Sequence, residues 1–234
     1  MKIPMQAKGV SSRRITAPGR SRGRPRAFDR EVALDRALGL FWTRGFEGTS
    51  ISDLTDALDI NPPSLYAAFG SKEELFREAL GLYVRAYGIP IERAIAEEKT
   101  ALDVIVRILL EAARLFPAGA TPGGCLVSSG SLNCAPDHRS IADFVAADRE
   151  WIVTALEQRI TAGKAKGEIP RDADPAALAR YVSTVISGMS VQARDGADEA
   201  TLLAIAEVAL AAWPSRPRSP QHSRPRRRSG RASR

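Results

Sequence analysis

The side chains able to do chemistry in this 234-residue chain are few, and their spacing says more than their number. There are two histidines, His138 and His222, and two cysteines, Cys125 and Cys134. With one of the histidines in a proline- and arginine-rich tail, general acid–base catalysis has little to work with. No Gly-x-Ser-x-Gly elbow, P-loop or Gly-x-Gly-x-x-Gly turn occurs in the sequence. Cys134, Asp137 and His138 are close enough to suggest a metal cluster, but Pro136 interrupts them and no fourth ligand follows. The cysteines are nine residues apart. On one helix they face opposite ways, which excludes a disulfide between them within that helix, and small buried apolar residues are the plainer account. No enzyme, no metal and no cofactor is expected.

The chemistry that remains is charge. Residues 1–27 hold eight basic side chains and no acid, and residues 214–234 hold eight arginines and no acid. Of the 34 basic residues 18 are left for the middle of the chain, against 27 acidic ones, a net charge of −9. An acidic body with two basic arms points to a polyanion, most often nucleic acid, although two solvated, disordered tails have the same composition. Within the first arm, Arg22-Gly23-Arg24-Pro25-Arg26 resembles the core of an AT-hook. Arginines on a Gly–Pro frame lie well in the narrow, negative minor groove of A·T-rich DNA, and general phosphate attraction is the less specific alternative.

The elements that position these groups read as helices throughout. Apolar residues make up 44% of the chain, enough for a core, and no run of about 18 apolar residues is present to span a membrane. The basic N-terminus has no apolar run after it, so a cytoplasmic location is expected. No alternating β-branched run stands out, and an all-α fold is predicted. Asp29 caps a first helix whose Ala33, Ala37, Leu40 and Phe41 share one face, and Gly45 ends it. Thr49 or Ser50 caps a second, with Ile51, Leu54 and Leu58 inward. After the turn Asp59-Ile60-Asn61, a third helix runs from Pro62 to about Phe69, proline being tolerated in a first turn. Ser71 and Glu74 form a capping box that opens a fourth helix, to about Tyr87. Further helices are predicted over 100–116, 125–134 and 138–163. Another runs from the Asp174-Pro175 start to about Arg194, and a last one ends near Trp213.

Three short helices, the last two joined by a tight turn, make a helix-turn-helix unit whose final helix can enter a major groove about 12 Å wide. The residues Gly45-Phe46-Glu47-Gly48-Thr49-Ser50-Ile51 and Leu65-Tyr66-Ala67-Ala68-Phe69-Gly70-Ser71-Lys72-Glu73-Glu74-Leu75-Phe76 resemble the TetR family closely. The likeness covers residues 28–76, about a fifth of the chain, and Gly123-Gly124-Cys125-Leu126 resembles a segment of one branch of that family. The resemblance implies that Thr49, Tyr66 and Lys72 meet DNA phosphates, which position the protein without reading sequence. It implies that Pro63, Ser64 and Ala67 face the bases, with Ser64 hydrogen-bonding an edge and the other two touching thymine methyls. Two departures stand out. Asp59 replaces the usual turn glycine, which a left-handed aspartate tolerates, and Pro62-Pro63 removes two N–H donors from the start of the third helix. Residues 28–76 also carry four basic side chains against nine acidic ones, so the basic arm is expected to compensate.

The same resemblance implies an N-terminal DNA-binding domain at 28–76 and an effector-binding and dimerisation domain at 77–213, between a disordered basic arm at 1–27 and an Arg/Pro/Ser-rich tail at 214–234. Leu178, Val182, Val185, Ile186 and Met189, with Leu202, Ile205, Val208, Ala209 and Trp213, suit half of an intermolecular four-helix bundle or the protomer core. Candidate effector contacts are Phe116, Cys125, Ser129, Asn133, Phe144, Asp148, Trp151 and Tyr181. Asp148 falls on the apolar stripe of Ile141, Phe144, Val145, Ile152 and Leu156, where a carboxylate is costly unless it is paired, meets a cationic ligand or reaches water. The expected function is a homodimeric, ligand-responsive repressor that leaves a pseudo-palindromic operator in double-stranded DNA when a small molecule binds. The rivals are an architectural DNA-binding protein acting through its basic arms without an effector, and a ligand-binding protein whose DNA head has degenerated.

Overall fold

The computed structural model describes residues 28–119 and 121–214; the proposed AT-hook arginines Arg22, Arg24 and Arg26, and nearly all of the C-terminal tail, lie outside them. Among the described residues there are ten α-helices, one 3-10 turn and no strand. The helices are α1 (Arg30–Arg44), α2 (Ile51–Leu58), α3 (Pro62–Phe69), α4 (Lys72–Ala86), α5 (Ile91–Glu97), α6 (Ala101–Leu115), α7 (Leu126–Ser129), α8 (Arg139–Ala165), α9 (Pro175–Arg194) and α10 (Glu199–Ala211), with the 3-10 turn at Pro136–His138 before α8. No described helix is long and apolar enough to cross a membrane.

Short-range chemistry sets the first three helices. The Asp29 carboxylate accepts from the amides of Glu31 and Val32 at 3.0 and 3.2 Å, satisfying two of the donors that a helix start leaves free. Ser50, rather than Thr49, caps α2. Its hydroxyl accepts from the Asp53 amide at 3.0 Å while the Asp53 carboxylate accepts from the Ser50 amide at 2.9 Å, a complete capping box. Asp59 ends α2 in the left-handed region, at φ 56°. Asn61 then caps α3, accepting from the Ser64 amide at 2.9 Å. At α4 only half of the expected box forms. Ser71 Oγ accepts from the Glu74 amide, but the Ser71 amide donates to Phe69 O at 3.0 Å and leaves Glu74 nothing to close.

One side chain joins this head to the rest. Phe46 is fully buried; its ring lies 5.2 Å from Phe76 and 5.0 Å from His138, both edge-on, and 6.4 Å from Phe41. Its amide donates to Gly130 O at 2.8 Å. Glu47 Oε1 accepts from the Ala135 amide at 2.7 Å and meets His138 Nδ1 at 2.8 Å, and these bonds hold its carboxyl below the usual range. On the opposite side Arg194, at the end of α9, donates to Trp42 O at 2.9 Å and Thr43 O at 2.7 Å, taking up carbonyls that the last turn of α1 leaves free. α1 packs along α4, α8 along α9 and α10 against α6, so that the head and the body share one continuous apolar core.

The C-terminal half departs from the sequence-based expectation in two places. The helix predicted over 125–134 is a four-residue α7; Gly130 caps it, and Pro136 starts a 3-10 turn, so the two cysteines do not share a helix. α5 has no counterpart in the apolar periodicity, and it follows Pro90, which provides no side-chain cap. Leu202, Val182, Met189, Ala209 and Trp213 are buried in the protomer, whereas Val191 and Val208 are 47% and 73% exposed.

Two outcomes follow. Phe46→Ala empties a fully packed site and is expected to cost about 3–5 kcal/mol in denaturant unfolding; a loss below about 1 kcal/mol contradicts its central place. The Asp53 carboxyl is held down to about 2 by the Ser50 hydroxyl, the Ser50 amide and Arg44. A depressed folded-state pKa stabilises the fold above the unfolded value and loses that effect as pH falls through the folded one. The melting-temperature advantage of the wild type over Asp53→Asn should therefore hold at neutral pH and fade between about pH 4 and pH 2. An advantage that persists unchanged to the acid end contradicts it.

Candidate functional site

The exposed side of α3 follows from its buried side. Leu65 and Phe69 are buried at 0% and 3%, which turns Pro63, Ser64, Tyr66 and Ala67 outward. Tyr66 is 47% exposed, and among the described residues neither its hydroxyl nor that of Ser64 has a hydrogen-bond partner. Pro62 and Pro63 sit at the first two helical positions, where the missing N–H groups break no intrahelical bond. The face carries no charged side chain, so it offers one free serine hydroxyl, one phenol and apolar surface.

Thr49 corrects an expectation. It is fully buried, and its hydroxyl donates to Gly45 O at 2.8 Å, so it has nothing to offer a phosphate. The exposed hydroxyl at that corner is Ser50, which already donates to Asp53 Oδ2 at 2.6 Å. Lys72 stands at the first position of α4 as expected, but its Nζ lies over the Phe46 ring, 4.2 Å from the centroid. Burial there pushes its pKa down against the pull of Glu47 and Glu73.

Four of the nine acids of the head have a structural role. Asp29 and Asp53 cap helices, Glu47 holds Ala135, and Asp59 takes the left-handed turn. Arg44 pairs with Asp53 at 2.6 Å and Arg30 with Glu78 at 2.7 Å. None of the nine acids of residues 28–76 lies on α3.

A second feature is a cavity of about 340 Å³ between α4, the α4–α5 linker, α5, α7, α8 and α9. Of the eight candidate effector contacts, Cys125, Asp148 and Trp151 line it. The other five do not. Phe116 is 1% exposed in the core, and Asn133 is exposed in the turn beyond α7. Ser129 Oγ donates to Cys125 O, the Phe144 ring lies under the Arg77 guanidinium at 4.5 Å, and Tyr181 donates to Ala209 O at 3.1 Å, tying α9 to α10. Lining residues that the sequence did not indicate come from the unpredicted stretch, Ile89 and Ile91, and from α4, Tyr83 and Val84. Burial drives the Tyr83 phenol far above its ordinary pKa and raises the Asp148 carboxyl as well. Cys134 lies apart from the cavity, near Glu47 and Lys72, with its thiol pushed up by burial. Among the described residues no group of three or more His, Cys, Asp or Glu side chains is placed to hold a metal ion.

α4 connects the two features, with Lys72 at the head end, Phe76 in the aromatic cluster, and Tyr83 and Val84 on the cavity. Residues 33–79 match the bacterial regulatory proteins of the tetR family, and residues 101–207 match the tetracyclin repressor-like C-terminal domain. The chain is 37% identical over 196 residues to the HTH-type transcriptional repressor ComR of Escherichia coli (strain K12), covering 83% of this chain and 93% of that one. It is 36% identical over 188 residues to the repressor BdcR of the same strain, covering 80% and 90%. A cysteine-substituted form of the TetR family transcriptional regulator CifR, solved with 26-base-pair double-strand operator DNA, is 42% identical and superimposes with a TM-score of 0.76 over 82% of this chain and 100% of its own. The protein belongs to the TetR family of bacterial regulatory proteins.

Proposed function

We propose that this chain is a ligand-responsive transcriptional repressor that binds a pseudo-palindromic operator as a homodimer. The observation that carries the reading is the outer face of α3, where Ser64 and Tyr66 have no internal hydrogen-bond partner while Leu65 and Phe69 lock the helix into the head. Relatives named as repressors, and CifR seen on operator DNA, support it. Pro63, Ser64 and Ala67 read bases in the major groove, and Tyr66 donates to a phosphate. Lys72 adds a second phosphate contact by turning off the Phe46 ring, at a helix start where the dipole favours an anion. Arg22, Arg24 and Arg26 supply the positive charge that α3 lacks.

The partner copy docks on the outer face of α9 and α10, where Val191 and Val208 are exposed and Gly188 admits a close approach because nothing lies within 4 Å of where its Cβ would be. The effector occupies the cavity. Tyr83 and Val84 carry its presence along α4 to Lys72 and the aromatic cluster, and this changes the spacing of the two heads. Affinity for DNA falls because ligand and operator favour different positions of α4.

Selection from random duplexes tests the reading directly. The expected result is an enriched palindrome, with binding lost when Tyr66→Phe and Lys72→Gln are combined; salt-sensitive binding with no enriched sequence overturns it in favour of an architectural role for the arms. Deleting residues 1–27 is expected to weaken operator binding and to flatten its dependence on salt, because each phosphate neutralised contributes about 0.9 to the slope of log K against log salt. An unchanged slope shows that the arm does not touch DNA.

A further inference from the structure

The cavity has a defined electrical character. Its walls are mainly apolar, with Val84, Ile89, Ile91 and Ile152 among them, and five charged residues line it: Arg85, Glu92, Arg93, Asp148 and Arg149. None of the three guanidinium groups pairs with a lining carboxylate. Arg149 donates to Val127 O at 2.9 Å, Arg93 pairs with Glu97 at 3.2 Å, and Arg85 lies back along α4 against Gly81. The two carboxylates have no such engagement: among the described residues neither Glu92 nor Asp148 takes part in a hydrogen bond or an ion pair. Asp148 sits on α8 one turn from Ile152, on the same face as the buried Val145 and Ile141, and is itself half-buried. Trp151 stands on the same wall with 47% of its surface open.

A half-buried carboxylate that makes no hydrogen bond or ion pair is unfavourable, and Arg149, the one arginine whose attraction reaches it, is committed to Val127 O instead. A ligand that brings a positive charge relieves that cost, and an open indole face attracts the same charge. A volume of about 340 Å³ limits the ligand to a small molecule, near the lower end of ordinary ligand cavities. Resting on the reading of this cavity as the effector site, we propose that the effector is an amphipathic organic cation, an amine or quaternary ammonium on a compact apolar body. Its charge meets Asp148 and Trp151, and its body packs against α4 and the α4–α5 linker. The raised pKa of the Asp148 carboxyl agrees with this, since burial outweighs the attraction of Arg149.

The test uses the full chain and three probes of one skeleton, phenylbutylamine, phenylbutanol and phenylbutyrate, titrated calorimetrically at neutral pH. The amine is expected to bind about tenfold or more tightly than the alcohol, with the acid weakest. Asp148→Asn should bring the amine down to the level of the alcohol and leave the alcohol unchanged, which also shows that the cavity is intact. Equal binding of the three, tightest binding by the acid, no binding by any, or an amine preference that survives Asp148→Asn overturns the proposal. Duplex selection on the same preparation separates this from the wider reading. An enriched palindrome without an amine preference rejects the ligand class alone, and an Asp148-dependent amine preference without an enriched sequence rejects the repressor and leaves the cation site standing.

Discussion

The burial of Phe46 between the head and the body is the constraint on which the other contacts depend. A phenylalanine immediately after the glycine that ends α1 has no helix of its own to pack in, so it fills the space between Phe41, Phe76 and His138. That placement brings its amide to Gly130 O, sets Glu47 against Ala135 and His138, and gives Lys72 an aromatic face to rest on. Gly45 must be a glycine for the same reason: at φ 72°, an added Cβ would stand 3.1 Å from Gly130 O. The head is thereby wedged onto the body by an aromatic contact on one face and by Arg194 on the other.

Where the fold was legible in the sequence, the information was local. Asp29, the Ser50 cap, the left-handed Asp59 and the Asp174-Pro175 start each act within about four residues, and each lies where its neighbours indicate, whereas Asp53, which closes the box with Ser50, was not indicated. The apolar stripe of α1 and the all-helical character were legible for the same reason. α5 and α7 were not, because short helices without side-chain caps are held by what they pack against rather than by their own residues. Thr49 shows the limit of assigning a role by position. A threonine beside a helix start looks available to a phosphate, and only the turn back to Gly45 O takes its hydroxyl inward.

The cavity was legible in part. Asp148 stood out because a carboxylate interrupted an apolar stripe of α8, a pattern visible in one helix. Its partners across the cavity, Ile89, Ile91 and Val84, lie 57 to 64 residues before it in sequence, and no local pattern reports such neighbours. Phe116 and Tyr181 do not line the cavity for the opposite reason: their size suited a pocket, yet one is enclosed in the core and the other fastens α9 to α10.

The use of carboxylates as structural parts of the head bears on how such a protein finds its site. Off-target affinity for duplex DNA comes almost entirely from displaced counterions, a contribution that basic side chains supply and acidic ones oppose. A head with four basic and nine acidic residues over 28–76 adds little of that attraction itself. On the proposed reading its dwell time on random genomic sequence would be short, and most of the electrostatic pull would fall to residues 1–27. Search speed and site discrimination would then be divided between two segments, so that either could change in evolution without disturbing the caps and wedges that keep the head folded.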